Sequence, residues 1–368
     1  MKISAQKADL VEALGIVGRA VSSRSSIQVL SGILLDARED GITLSGTDME
    51  ISIKTPLAGR VEEPGATVLP GRIFGDIAKT LGPREIVIEQ KAGEGQVEIR
   101  SGESDFLLHC LPAADFPQFP VFPLESGFTV AKQAFLQTID RVAPSASRDE
   151  TRPVLTGVLI QLSKGTVKMV ATDSYRLSVK ETPVETSVKE KLQAIVPART
   201  LVELSRIGSG SVAETMTIVP TENQVLFEVG GVSLISRLID GQFPNYRQLL
   251  PETFEYEVEV ERDEFIESVK RIGLLAQKSS PLRLRFADNN LTISAQSADV
   301  GRAHESIPIR YQGDDLEIGF NAAFLEAGAQ AVGETIVHLK FISPLRPGLL
   351  KGAGDDFLYL IMPIRLND

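Results

Sequence analysis

The chain has 368 residues, 43% of them hydrophobic and 24% charged, and a formal net charge of −11. That length suffices for two or three domains with separate cores, and no apolar run approaches the ~18 residues of a membrane-spanning helix. Met1 to Lys7 lacks the apolar stretch of a secretory signal, and the single cysteine, Cys110, excludes an intramolecular disulfide framework and fits a reducing cytosol. A cytoplasmic protein is therefore expected.

From the N-terminus, a first strand leads into an amphipathic helix at 7–14, with apolar residues at i, i+1 and i+4. Strands are predicted at 32–36, 41–45, 51–54, 86–90 and 97–100, separated by polar and glycine breaks. A second helix is expected after Leu69-Pro70-Gly71-Arg72. Cys110 follows the strand-like run from Phe106, where a buried structural thiol is expected. The same order then returns. A helix pattern at 132–139 precedes strands at 158–162, 167–171, 177–180, 216–219 and 225–229, and Val196-Pro197-Ala198-Arg199 opens a second helix. A third round begins with the helix pattern at 262–269 and continues with strands at 282–286, 291–295, 336–341 and 357–362. Here Gly319 to Glu326 stands where Val196 to Glu203 stands in the second round.

The match extends to single residues. Thr47-Asp48 answers Thr172-Asp173, Pro70 answers Pro197, and Phe116-Pro117 answers Phe243-Pro244, at offsets of 125, 127 and 127. Three ordered matches identify a repeated module of about 120 residues. The third copy has Ser297-Ala298 in place of the Thr-Asp pair. Proline-rich stretches place domains at 1–125, 126–251 and 252–368. Two helices on short antiparallel strands in each copy predict an α+β fold with the helices on one side of the sheets.

Charge divides unevenly among these thirds. The first has 12 basic and 18 acidic side chains, the second 14 and 12, and the third 12 and 19. An acidic whole argues against tight non-specific nucleic-acid binding by bulk charge, yet leaves room for a local positive surface. Arg19, Arg24, Arg72, Lys79, Arg84, Arg141, Arg148, Arg152, Arg199 and Arg206 lie on or just after the expected helices, and their recurrence favours a shared cationic face.

Catalytic patterns are scarce. The three histidines, His109, His304 and His338, lack metal-ligand spacing, and core or cross-strand roles are expected for His109 and His338. The glycine-rich segments at 208–211 and 351–354 lack the strand–loop–helix arrangement of a phosphate loop. The Thr-Asp pairs at strand starts point to Asx-type turns rather than acid–base chemistry. No enzyme activity, cofactor or metal is expected.

The chain resembles the bacterial sliding clamps, the β subunit of the replicative DNA polymerase III holoenzyme. The resemblance spans its length and rests on Leu111 to Pro117, Ala171 to Leu177, Gly241 to Tyr246 and Met362 to Leu366. It implies a head-to-tail homodimer of three-domain chains, closed into a ring around double-stranded DNA and contacting it without sequence preference. It also implies docking of the replicative polymerase α subunit, the clamp loader and other clamp-motif peptides. Arg24 and the segment holding Arg148 and Arg152 are implied to approach DNA. The equivalence of the second helices adds Arg72 and Arg199.

The implied peptide pocket comprises Leu155, Thr172, Ser174, Tyr175, Arg176, Leu177, Pro244, Gln248, Leu249, Pro344, Leu360, Met362, Pro363, Ile364 and Arg365. A methionine and aliphatic lining suits peptides with Leu and Phe anchors. Pro153-Val154 stands where better-known members carry aromatics, and Gln248 where some carry arginine. Phe106 and Leu108 are implied to meet Leu274 and Leu275 across the dimer seam. A repeat-built peptide adaptor that never encircles DNA and a hydrolase with a cryptic site are the competing readings.

Overall fold

A computed structural model describes residues 1–22, 26–91, 95–163, 165–184, 192–276, 281–354 and 356–366. Residues 1–133 with 203–238 form one compact unit, and residues 134–202 with 239–368 form another.

Among the described residues six α-helices recur as pairs: α1 (Lys7–Val17) and α2 (Gly71–Thr80), α3 (Lys132–Val142) and α4 (Ala198–Gly210), α5 (Arg262–Gly273) and α6 (Ala322–Val332). The local chemistry of their ends is clearest in the last pair. Glu261 caps α5 by accepting from the Glu264 N–H, with Asp263 and Glu264 in the first turn and Lys270 and Arg271 in the last, so charge complements the helix dipole at both ends. Asn321 caps α6, and Gly333, at φ 72°, ends it in the left-handed conformation that glycine adopts without strain. The strand Leu316–Phe320 occupies the start of the segment aligned with Val196 to Glu203, so α6 begins only at Ala322 and runs to Val332.

The strands follow the period of two that buries one face. In Ile51–Leu57, Ile51, Ile53, Thr55 and Leu57 point inward while Lys54 and Pro56 are exposed. Among the described residues every pairing is antiparallel. The first unit holds a five-stranded sheet in the order Gly59–Glu63, Lys2–Gln6, Glu85–Glu89, Gln96–Ser101, Ser104–His109. Its nine-stranded sheet runs Leu111–Pro112, Gly65–Pro70, Gly32–Arg38, Gly41–Thr47, Ile51–Leu57, Val232–Arg237, Gln224–Val229, Thr215–Pro220, Phe128–Ala131. The second unit holds an eight-stranded sheet, ordered Leu192–Pro197, Gly157–Ser163, Thr166–Thr172, Arg176–Pro183, Phe357–Ile361, Gly348–Lys351, Ile336–Phe341, Tyr256–Glu261. A four-stranded sheet, Gly301–Pro308, Asn290–Ser297, Leu282–Ala287, Leu316–Phe320, completes it.

Each repeat therefore supplies two four-stranded blocks, to which repeat one adds Gly59–Glu63 and Leu111–Pro112 as extra edge strands. The leading block contains the three strands after the first helix and the strand before the second helix. The trailing block contains the strand before the first helix and three closing strands. In the first unit the leading block of repeat one joins the trailing block of repeat two, with Ile53 opposite Leu234. In the second unit the leading block of repeat two joins the trailing block of repeat three, with Leu177 opposite Leu360. The proline-rich segment after the first repeat is pinned by its aromatics: Phe116 belongs to one apolar cluster, Phe122 to another, and Phe119 packs against both.

The burial expected of Cys110 is corrected, and so is a core role for His109, which instead takes a cross-strand place opposite Gln96. Cys110 is half-buried, because it follows an edge strand, and its sulfur accepts from Gln90 Nε2 at 3.3 Å. His109, at the end of that edge strand, is exposed, whereas His338 faces Glu257 and Glu259 across a strand pair.

Candidate functional site

The join in the second unit brings several of the residues expected at the peptide site together. Pairing of Arg176–Pro183 with Phe357–Ile361 sets Leu177 opposite Leu360 and Val179 opposite Leu358. Beyond it, the Met362 N–H donates to the Tyr175 carbonyl at 2.8 Å, and the Ile364 N–H to the Gly319 carbonyl at 2.8 Å. The chain end is thus fixed against the turn that precedes Leu177.

That turn is a hydrogen-bonded device specified by Thr172 and Asp173. Asp173 Oδ1 accepts from the Tyr175 and Arg176 N–H groups at 2.9 and 3.0 Å, and Thr172 Oγ1 accepts from the Ser174 N–H at 3.1 Å. Ser174 is held at φ 80°. The first repeat reproduces the device: Asp48 accepts from Glu50 and Ile51, Thr47 from Met49, and Met49 sits at φ 75°. The expected Asx turns are therefore present, and neither aspartate is placed as an acid–base group.

Below the turn, Leu159, Val170, Leu177, Val179, Ile195, Leu349, Leu360 and Tyr246 form one buried apolar cluster, flanked by Val154, Phe243 and Leu250. Leu155 and Thr172 are also buried. Large apolar side chains remain uncovered on the segments that join this floor: Tyr175 is 62% exposed, Leu249 49% and Met362 39%. Ser174, Pro244, Gln248, Pro344 and Arg365 are exposed as well, and Pro363 and Ile364 are half-buried. The result is a leucine floor with an apolar lip and a few polar groups, the composition expected of a site for hydrophobic peptide anchors.

Arg176 braces this site. Its Nε bonds Asp173 Oδ2 at 3.1 Å, its Nη2 bonds the Pro144 carbonyl at 2.6 Å, and its guanidinium carbon lies 4.4 Å from the Phe324 ring centroid. A cation so engaged fixes the turn on α6 rather than offering charge to a ligand. Behind it, the buried Tyr359 donates to the Phe324 carbonyl at 2.8 Å, and burial pushes the Tyr359 phenol up to about 12. Sequence reasoning missed Phe324 and Tyr246. A cation–π contact between distant segments leaves no local signature, whereas Tyr246 lay within reach of the repeat alignment.

The residues expected at DNA are distributed differently. Arg24 lies outside the described residues. Arg72 is 96% exposed on α2, with Asp76 at 4.0 Å one turn on. Arg148 is exposed, and Arg199 is exposed in the first turn of α4. Arg152 bonds Asp149 Oδ2 at 3.1 Å and Ser174 Oγ at 3.1 Å, which ties it to the Thr172-Asp173 turn. Hydrogen bonds from Thr151, with a smaller contribution from Arg152, lower the Asp149 carboxyl pKa. In the first unit, Glu203 bonds both Arg19, at 2.8 Å, and Arg206, at 2.7 Å.

Two sheet edges carry the remaining residues. Phe106 and Leu108 lie on Ser104–His109, the last strand of the five-stranded sheet, opposite Ile99 and Val97. Those partners are fully buried, while Phe106 and Leu108 are only half-covered. Leu274, immediately after α5, is 84% exposed, and Leu275 packs against the third repeat's core.

Family models of the DNA polymerase III beta subunit match the N-terminal domain over residues 1–120, the central domain over 129–245 and the C-terminal domain over 247–365. The chain belongs to this family. It is 33% identical over 380 residues to the beta sliding clamp of Streptomyces coelicolor, covering all of both chains, and 33% identical over 359 residues to that of Staphylococcus aureus, covering 94% of each. Among solved structures, the Bacillus subtilis sliding clamp superposes with a TM-score of 0.94 at 30% identity, and the Pseudomonas aeruginosa clamp bound to griselimycin with 0.92 at 29%. Both alignments cover the full length of both chains. The chain is thus a DNA sliding clamp, a non-catalytic processivity factor of the polymerase, built from three clamp domains.

Proposed function

We propose that two copies of this chain close head to tail into a ring around double-stranded DNA, and that partner proteins dock short peptides in the pocket of the second unit. The observation that carries the ring is topological. Twice within the chain a leading block joins the next repeat's trailing block, through Ile51–Leu57 with Val232–Arg237 and through Arg176–Pro183 with Phe357–Ile361. The corresponding leading edge of repeat three, Gly301–Pro308, and the corresponding trailing edge of repeat one, Ser104–His109, are both outermost in their sheets. Joining the third edge of one copy to the first edge of another repeats the same union and removes two exposed strand edges. The half-covered Phe106 and Leu108, with Leu274 and Leu275, fit such a seam.

A ring needs only weak phosphate contacts, for which Arg24, Arg72, Arg148, Arg152 and Arg199 are the candidates. Contacts to phosphate carry no sequence information and permit sliding. The partners of this reading are the replicative polymerase α subunit, the clamp loader and other clamp-motif peptides, in a cytoplasmic, nucleoid-associated setting. Domain limits at 1–125, 126–251 and 252–368 follow from the repeat. The Pseudomonas aeruginosa relative's complex with griselimycin supports a ligand-binding capacity for the fold.

Loading onto nicked circular DNA tests the ring. The chain is expected to stay on the circle in high salt and to slide off after linearisation; release from the intact circle would refute encirclement. For the pocket, Met362→Ala combined with Leu177→Ala is expected to abolish binding of a polymerase peptide while the dimer persists. Undiminished binding by that variant would refute the assignment.

A further inference from the structure

The two linkers that follow repeats one and two align residue for residue at an offset of 127, from Phe116 and Phe243 to Glu125 and Glu252. In both, the first aromatic packs against a neighbouring apolar cluster. Three residues later the first linker carries Phe119 and the second carries Tyr246. Phe119 packs by its ring alone. Tyr246 is 6% exposed within the cluster that also holds Leu177, Leu349 and Leu360, and its hydroxyl is buried with no hydrogen-bond partner among the described residues. Buried phenols ordinarily find a partner, since an unpaired hydroxyl forfeits its hydration without return. The equivalent linker shows that phenylalanine serves the packing role at this position. The hydroxyl of Tyr246 is therefore surplus to the fold, and its ring belongs to the apolar cluster that holds Leu177 and Leu360 of the proposed peptide site.

Tyr246 is also the anchor of its segment. The short helical turn Tyr246–Leu249 is bordered by Pro244 and Asn245, and all of these residues except Tyr246 are exposed. Gly241, at φ 128° and close against Val154, precedes it, and the Leu250 N–H donates to the Arg247 carbonyl at its end. Because the hydroxyl is enclosed, a ligand reaches it only by displacing this exposed turn.

We propose that Tyr246 is a specificity-determining contact of the peptide pocket, its hydroxyl donating to a main-chain carbonyl of the bound peptide. The inference rests on the peptide-binding reading of the pocket. The linker then does more than close the second repeat, since it also carries a hydrogen-bond donor that is idle in the free chain and satisfied in the complex. A group unpaired in one state and paired in the other favours ligands that bring the acceptor in register, and disfavours those that merely fill the apolar space.

The test is Tyr246→Phe in the full chain, titrated with a fluorescein-labelled short peptide carrying Leu and Phe anchors, beside Met362→Ala as a control. Tyr246→Phe is expected to weaken the peptide about 3- to 10-fold, the range of one net hydrogen bond, while thermal stability is unchanged or rises. A purely structural role for the hydroxyl would instead lower stability and leave affinity alone. If Met362→Ala weakens the peptide and Tyr246→Phe does not, the inference fails and the pocket stands. If Met362→Ala also binds like the parent chain, the pocket reading itself fails.

Discussion

Asp48 and Asp173 play the same backbone role in two repeats, and Asp173 is the one beside the proposed peptide site. Each carboxylate accepts two main-chain N–H bonds, and each turn holds the residue after the aspartate at positive φ. Removing a charged acceptor strands both donors, at a cost of about 1–2 kcal/mol. Asp48→Ala and Asp173→Ala are therefore expected to speed local hydrogen exchange at Glu50 and Ile51, and at Tyr175 and Arg176, by roughly 5- to 30-fold. The consequences for binding differ. Asp173 also holds the guanidinium of Arg176, so its loss loosens the turn on Phe324 and is expected to weaken a bound peptide, whereas Asp48→Ala leaves affinity unchanged. Equal affinities for the two variants, measured by the same titration, would confine the turn to a purely structural role.

At the scale of elements, the joins between blocks are reinforced by side chains that the hydrophobic pattern does not reveal. Lys180, almost fully buried on Arg176–Pro183, bonds the half-exposed carboxylate of Asp356, which precedes Phe357–Ile361. Burial pushes that carboxyl up, but the hydrogen bond and charge of Lys180 outweigh it and the net shift is downward. A depressed carboxylate adds stability that is present above its unfolded value of ~3.9 and is lost as pH falls through its folded value. Asp356→Asn is expected to cost about 1 kcal/mol at neutral pH, a figure held low by solvent screening. Parent and variant are expected to converge in thermal unfolding as pH drops below ~4. A difference that stays constant well below that pH, past the depressed value of the folded carboxyl, would assign the effect to packing.

Such joins also mark the limit of what the sequence conveys. Strands with strict alternation, such as Ile51–Leu57 and Asn290–Ser297, were legible because one face is buried along their length. Gly59–Glu63 and Gly348–Lys351 were not, being short and lacking that contrast. Alternation specifies which face is buried and says nothing about which strand lies alongside, so the union of one repeat with the next emerged only in three dimensions. Within the pocket, Leu177, Leu360 and Met362 came from family resemblance. The brace of Arg176 on Phe324 and the buried hydroxyl of Tyr246 depend on contacts between segments far apart in sequence.

At the scale of the whole molecule, the decisive quantity for the proposed ring is how its closure energy would divide between two identical seams. Leu108 on Ser104–His109 continues the buried face of its sheet, opposite Val97, to an edge where half its cover is missing. A second copy presenting Gly301–Pro308 and Leu274 would complete that cover. Replacing Leu108 by Asp then buries an unpaired carboxylate at each seam, at a cost of ~3 kcal/mol apiece. A twofold ring makes both seams at once, so the expected loss is ~6 kcal/mol, roughly 10⁴-fold in the dimer constant. The Leu108→Asp chain is expected to sediment as a monomer, with circular dichroism unchanged because the position is only half-buried at an edge strand. It is also expected to keep its affinity for a polymerase peptide, since every pocket residue belongs to the second compact unit. Retention on nicked circular DNA should disappear with the dimer. A Leu108→Asp chain that remains dimeric would place the seam on another surface, and one that is monomeric yet held on circular DNA in high salt would separate retention from ring closure.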